Sequence, residues 1–179
     1  MLAETVRREA NRIKAKYHTA DPYEICRVMK ISIQMTPMGT GAKSCKGFFL
    51  IQSRCKVITI NSDLPENIQR IILVHELGHA ILHSSPALSA FHEFDLFDKA
   101  NRLEYEANIF SAEFMLEDTE VVEALKEENE FFRAAQILEV PPELLDFKLM
   151  IMSNTDFNLT APIVAHGDYL KRDLSRPLY

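Results

Sequence analysis

Apolar residues recur at helical spacing from the start of the chain. Val6, Ala10, Ile13 and Tyr17, separated by charges, predict an amphipathic helix over residues 3–17. Asp21-Pro22 reads as the start of a second helix, with Asp21 as N-cap and Pro22 at the first helical position, running to about Met29. The spacing then changes. Ile31 to Met35 alternates like a strand, and Thr36 to Lys46, with two glycines and a proline, reads as a loop. Gly47–Ile51 and Lys56–Ile60 are short β-favouring runs, and the four residues between them predict a hairpin. Together with 31–35 they predict a small sheet of about three strands.

A long helix follows, from about Leu64 to His83. Asp63 is its expected cap, Glu66 completes a capping box, and Pro65 is tolerated in the first turn. Residues 87–98 are apolar with interspersed acids and fit a loop or a short helix. Asn101–Leu116 is a clear helix with Leu103, Ala107, Phe110 and Phe114 on one face. Residues 119–138 read as one further acidic helix, and Pro141-Pro142 opens another to about Met152. Beyond Ser153 the pattern fades until 167–174, where a turn or two of helix is expected. The fold class is α+β, mostly helical with one small sheet.

Composition narrows the class. The chain has 179 residues, 47% hydrophobic and 26% charged, which suits a single soluble globular domain. No run of 18 apolar residues occurs and the first 17 residues carry charge throughout, so neither a membrane span nor a secretory signal is expected. Three scattered cysteines favour a reducing, cytoplasmic setting. The net charge of −6 argues against a nucleic-acid-binding surface, but it averages an asymmetry. Residues 1–70 hold 12 Lys/Arg against 6 Asp/Glu, whereas 84–130 hold 3 against 13. Such an acidic stretch is either a solvated face or an attraction for a basic partner or a cation.

The chemistry lies in His75-Glu76-Leu77-Gly78-His79, an H-E-x-x-H pattern in the middle of a predicted helix. Histidines at i and i+4 lie about 40° apart around the axis, so both rings can reach one Zn²⁺. Glu76 falls beside the ion, where a carboxylate can deprotonate a zinc-bound water and return the proton to a leaving amine. Gly78 costs about 1 kcal/mol against alanine in a helix interior, and so reads as room for a close neighbour.

A third protein ligand is required. The metzincin offset falls on Ser85, which excludes that class. His83 reads as a last-turn histidine, partly exposed and complementing the helix dipole. His92, within residues 87–98, is a further candidate. Glu104 is favoured, because it precedes the small Ala107 at the head of an apolar face and lets two helices close around the ion. Glu106 competes with it. The two lie about 200° apart, so the loser is expected to be a solvated helix charge.

These residues resemble the ImmA/IrrE-type metallopeptidases, small gluzincin-like proteins encoded beside helix-turn-helix repressors in phages and mobile elements. The resemblance runs through Asp21-Pro22, the strands at 31–33 and 57–61, HELGHAILH at 75–83, Glu104 to Ala112, similar to the family's E-x-x-A-N-x-F-A pattern, and Ala134 to Leu149. One departure is Phe114-Met115-Leu116-Glu117, which lacks the family's proline.

The resemblance implies a zincin-like domain over residues 1–152 with a tail at 153–179 packed on it. It also implies Zn²⁺ on His75, His79 and Glu104, Glu76 as catalytic acid/base, and cleavage of a partner helix-turn-helix repressor. The alternative is a non-proteolytic antirepressor of the same fold with a structural zinc. His166, Tyr105 and Tyr169 are candidates for a second oxyanion donor, and the edge of the sheet could take an extended substrate segment. Direct DNA binding lacks any basic recognition helix.

Overall fold

A computed structural model of the protein describes residues 2–41, 44–83, 97–127 and 131–153. The chain opens with α1 (Leu2–Tyr17), α2 (Pro22–Val28) and β1 (Ile31–Thr36). Then come β2 (Gly47–Gln52), β3 (Cys55–Asn61) and α3 (Glu66–Leu82). Four helices complete the described fold: α4 (Phe97–Met115), α5 (Asp118–Glu127), α6 (Phe131–Ile137) and α7 (Pro142–Ser153). The α+β, mostly helical class therefore holds. No described helix is long and apolar enough to cross a membrane.

Local chemistry explains the first elements. Val6, Ala10 and Ile13 form the buried stripe of α1. The Asp21 side chain accepts the Tyr23 N–H at 3.1 Å, capping α2 as expected. The sheet has the order β1-β3-β2, with β1 parallel and β2 antiparallel to the central β3. Gln52 pairs with Cys55, so the hairpin closes through Ser53 and Arg54 alone, not through four residues. Both adopt positive φ, 50° and 67°, the twist that a two-residue hairpin turn requires.

The start of α3 departs from expectation. The helix begins at Glu66 with Pro65 at the cap position and no side-chain cap. Asp63 is engaged elsewhere: its carboxylate accepts the Gly39 N–H at 2.7 Å. Asn61, fully buried, accepts the N–H groups of Met38 and Asp63 and donates to the carbonyls of Gly39 and Cys45. The end of β3 thus pins the preceding loop, and this tertiary use of Asp63 displaces the local capping box.

Residues 119–138 do not form one helix. They contribute to α5 and α6, with 128–130 outside the described residues. Helix α4 ends at Met115 although the proline is missing, and α5 starts three residues later. The segment 84–96, which holds His92, lies outside the described residues. So do 154–179, with the expected turn at 167–174 and both His166 and Tyr169.

The core fills the space between the sheet and the helices. Ile58 and Ile60 of β3, Ile71, Ile72 and Leu77 of α3, Phe110 of α4 and Phe147 of α7 are all buried. Helix α4 packs on α1, α3 and α7. It meets α3 at Gly78, where an added Cβ would stand 3.1 Å from Phe110 Cδ1 and 3.3 Å from its Cβ. The glycine is the close approach that its sequence position implied.

Candidate metal centre

The middle of α3 is buried on every side, an uncommon condition for a helix carrying two histidines and a glutamate. Its lead-in, Ile71-Ile72-Leu73-Val74, is wholly apolar and buried, which seats the next turn under α4 and β2. His75 and His79 follow one helical turn apart. Their Nε2 atoms approach to 3.1 Å, with ring centroids 4.8 Å apart at 73°. Glu104, from α4, closes the third side. Its carboxylate oxygens lie 3.3 Å from His75 Nε2 and 3.5 Å from His79 Nε2.

These three side chains form a group able to hold a metal ion among the described residues, their ligand atoms all within 4.8 Å of one another. Their chemistry fits a cation. Two ring nitrogens and a carboxylate converge in a buried place, and all three can offer lone pairs at once. Without a proton or a metal between them, such groups repel. Burial works against charge on Glu104, yet the adjacent His75 and His79 pull its carboxyl well below the ordinary range.

Glu76 sits beside this group. Burial drives its carboxyl up to about 7; the nearby Glu104 adds to the rise, while His79 opposes it. The Phe49 N–H also opposes it by donating to the Glu76 carboxylate. That bond requires β2 to run close against α3, and Gly47 permits it. A Cβ there would stand 2.5 Å from Ile72 Cγ2 and 2.9 Å from the Thr59 carbonyl oxygen.

Of the residues weighed for the third position, Glu104 is the one brought to the two histidines. Glu106 faces another way, as the 200° offset requires, but it is not a solvated charge. Its side chain is mostly buried and reaches His83 Nε2 at 2.9 Å and Arg102 Nε at 2.9 Å. His83 also departs from expectation. It is buried, and its Nδ1 lies 3.0 Å from His79 Nδ1. Successive i+4 steps keep residues 75, 79 and 83 on one slowly drifting stripe, and α4 covers the whole of it. Tyr105, a candidate oxyanion donor, instead donates to Met150 Sδ at 3.2 Å and packs edge-on against Phe147 in α7.

Sequence comparison places the chain among known proteins. Residues 26–150 match the IrrE N-terminal-like domain, a peptidase family. A protein of Bacillus phage phi105 named "Uncharacterized immunity region protein 2" is 32% identical over 143 residues, covering 80% of this chain and 88% of its own. The protein of Bacillus subtilis strain 168 named metallopeptidase ImmA is 30% identical over 136 residues, covering 73% of this chain and 76% of its own. With the matched region spanning more than two-thirds of its sequence, this chain belongs to the IrrE N-terminal-like peptidase family.

Proposed function

We propose that the chain is a zinc-dependent endopeptidase that cleaves a helix-turn-helix transcriptional repressor and thereby derepresses a phage, mobile element or stress operon. Family membership supports peptidase chemistry, and the relatives' names, a metallopeptidase and an immunity region protein, support the regulatory setting. The observation that carries the reading is Glu76. A purely structural zinc site needs ligands but has no use for a further buried carboxyl beside them on the same helix.

In this reading His75 Nε2, His79 Nε2 and the Glu104 carboxylate hold the metal. When bound, zinc supplies Lewis acidity that polarises the scissile carbonyl and stabilises charge growing on its oxygen. Glu76 takes a proton from the attacking water and delivers it to the departing amine, the work of a carboxyl held beside the ligands. The Phe49 N–H fixes where that carboxylate points. The edge of β2 next to it accepts an extended substrate segment as an added strand.

The peptidase unit spans residues 1–152, with 153–179 as its tail. The acidic stretch 84–130 favours encounter with a basic, DNA-binding partner, so the chain acts on DNA control without touching DNA. Its setting is the cytoplasm.

Co-expression with the repressor encoded beside this gene, comparing wild type with Glu76→Gln, is the test. Wild type is expected to remove intact repressor and Glu76→Gln to leave it whole. Equal derepression by both, with the repressor uncut, would replace proteolysis with the antirepressor reading. About one zinc per chain, lost in His79→Ala, is the companion expectation.

A further inference from the structure

His83, buried, and Glu106, mostly buried, are polar groups for which the proposed chemistry has no direct use, yet they continue the line of donor atoms outward from His79. The line runs from His79 Nδ1 to His83 Nδ1 at 3.0 Å, then from His83 Nε2 to Glu106 Oε2 at 2.9 Å. The Arg102 Nε–H donates to Glu106 Oε1 at 2.9 Å. We propose that His83 and Glu106, braced by Arg102, form a relay that holds His79 as its Nδ1–H tautomer and so turns the Nε2 lone pair toward His75 and Glu104. The inference deepens the zinc reading and rests on it for its purpose, but not for its geometry.

The direction of the relay follows from its outer end. The Glu106 carboxylate forms an ion pair with Arg102 through Oε1 at 2.9 Å and faces His83 Nε2 with Oε2 at 2.9 Å. An ionised carboxylate only accepts, so His83 Nε2 must carry the proton. A neutral imidazole has one N–H, which leaves His83 Nδ1 as a bare acceptor. His79 Nδ1 must then donate to it, and His79 Nε2 is left bare. With both imidazoles neutral each assignment follows from the one outside it, and the last delivers a lone pair where a metal ligand needs one.

His75 provides the contrast. Its Nδ1 is buried and has no hydrogen-bond partner among the described residues, so no comparable chain there sets its tautomer. His83 and Glu106 are therefore positioning residues, acting on the cation only through His79. A different role for them is a tie between the end of α3 and α4, and that role predicts a loss of stability alone.

Two readouts on the full-length protein separate these roles. The first is the ¹⁵N spectrum of the imidazoles in metal-free wild type, which distinguishes a protonated from a bare ring nitrogen. His79 is expected to carry its proton on Nδ1 and His83 on Nε2; the reverse pattern overturns the relay without any mutation. The second is zinc affinity, measured by competition with a chromophoric chelator. His83→Phe and Glu106→Ala are each expected to weaken zinc binding about 10–100-fold. The double variant should be no worse than the weaker single, because one chain is being cut at two places.

Glu106→Gln keeps an acceptor oxygen and is the variant safest to fold; its loss should fall between those of wild type and Glu106→Ala. Folded variants that all bind zinc within about twofold of wild type would overturn the relay. A wild type that binds no zinc would instead remove the zinc reading, and the metal-free spectrum would still decide the tautomer.

Discussion

Helix α4 carries two buried polar clusters on opposite sides, since Glu104 and Glu113, nine residues apart, lie about 180° apart around the axis. Around Glu113 the charges are complete. Lys148 Nζ lies 2.8 Å from Glu113 Oε2 and 2.6 Å from Asp118 Oδ1. Arg7 reaches Asp118 Oδ2 at 2.7 Å and Glu113 Oε1 at 3.3 Å, and Asn11 donates to Glu113 Oε1. Two cations meet two anions, and α1, α4, α7 and the start of α5 are fastened together. Around Glu104, by contrast, two histidines and a carboxylate gather with no lysine or arginine among the described residues bound to them. Burying charge is costly unless it is paired, so the first cluster has closed on itself and the second calls for a cation from outside. The difference separates a structural clamp from a site.

The largest effect is expected from opening the clamp. Lys148→Met leaves Glu113 buried with only its weaker partners and should cost about 3–5 kcal/mol in urea denaturation. Adding Glu113→Leu to it should recover much of that loss, because no uncompensated charge remains. A single-variant cost under about 1 kcal/mol would mean that the cluster is not a clamp.

The second cluster should respond to metal instead. Zinc at about 100 times its dissociation constant should stabilise wild type by about 2.7 kcal/mol in thermal or chemical unfolding, and His79→Ala by nothing measurable. Stabilisation that survives His79→Ala would move the zinc elsewhere. The geometry of that cluster depends on helix spacing, so Gly78→Val, pressing on Phe110, should cost about 1–3 kcal/mol and weaken zinc binding as well. If it lowers stability while leaving zinc affinity intact, the approach of α4 does not set the position of Glu104.

The two clusters also differ in how far the sequence discloses them. His75, Glu76 and His79 are legible because their relation is local: helical spacing alone puts them together. Glu104 needs one tertiary contact, and its preference over Glu106 followed from the small Ala107 beside the apolar face of α4. The fates of Glu106 and His83 were not legible, because they depend on how far α4 covers the last turn of α3. Asp63 is a good local cap that a long-range bond to Gly39 claims first. The clamp left no spacing signal at all, since Lys148 and Glu113 are 35 residues apart. Its trace is a lysine inside Leu144-Leu145-Asp146-Phe147-Lys148-Leu149, an apolar run where a cation needs a partner.

Acid should take the two clusters apart in order, and the effects here are the smallest. Histidine ligands must be neutral to bind metal, so zinc stabilisation should fade as the pH is lowered, with protons displacing the ion. The clamp should respond only at lower pH. Burial raises the Asp118 carboxyl, but Lys148 and Arg7 outweigh it and hold it below its ordinary 3.8. A group depressed in the folded state adds stability above its unfolded pKa and loses it as pH falls through the folded value. Asp118 therefore contributes in full at neutral pH, and its share disappears only below about 3.8. Unfolding measured against pH should show two steps in zinc-loaded protein and only the lower one in His79→Ala. Asp118→Asn should flatten the lower step and leave the upper untouched. If it shifts the step that depends on zinc, the two sides of α4 are coupled, and the division between clamp and site fails.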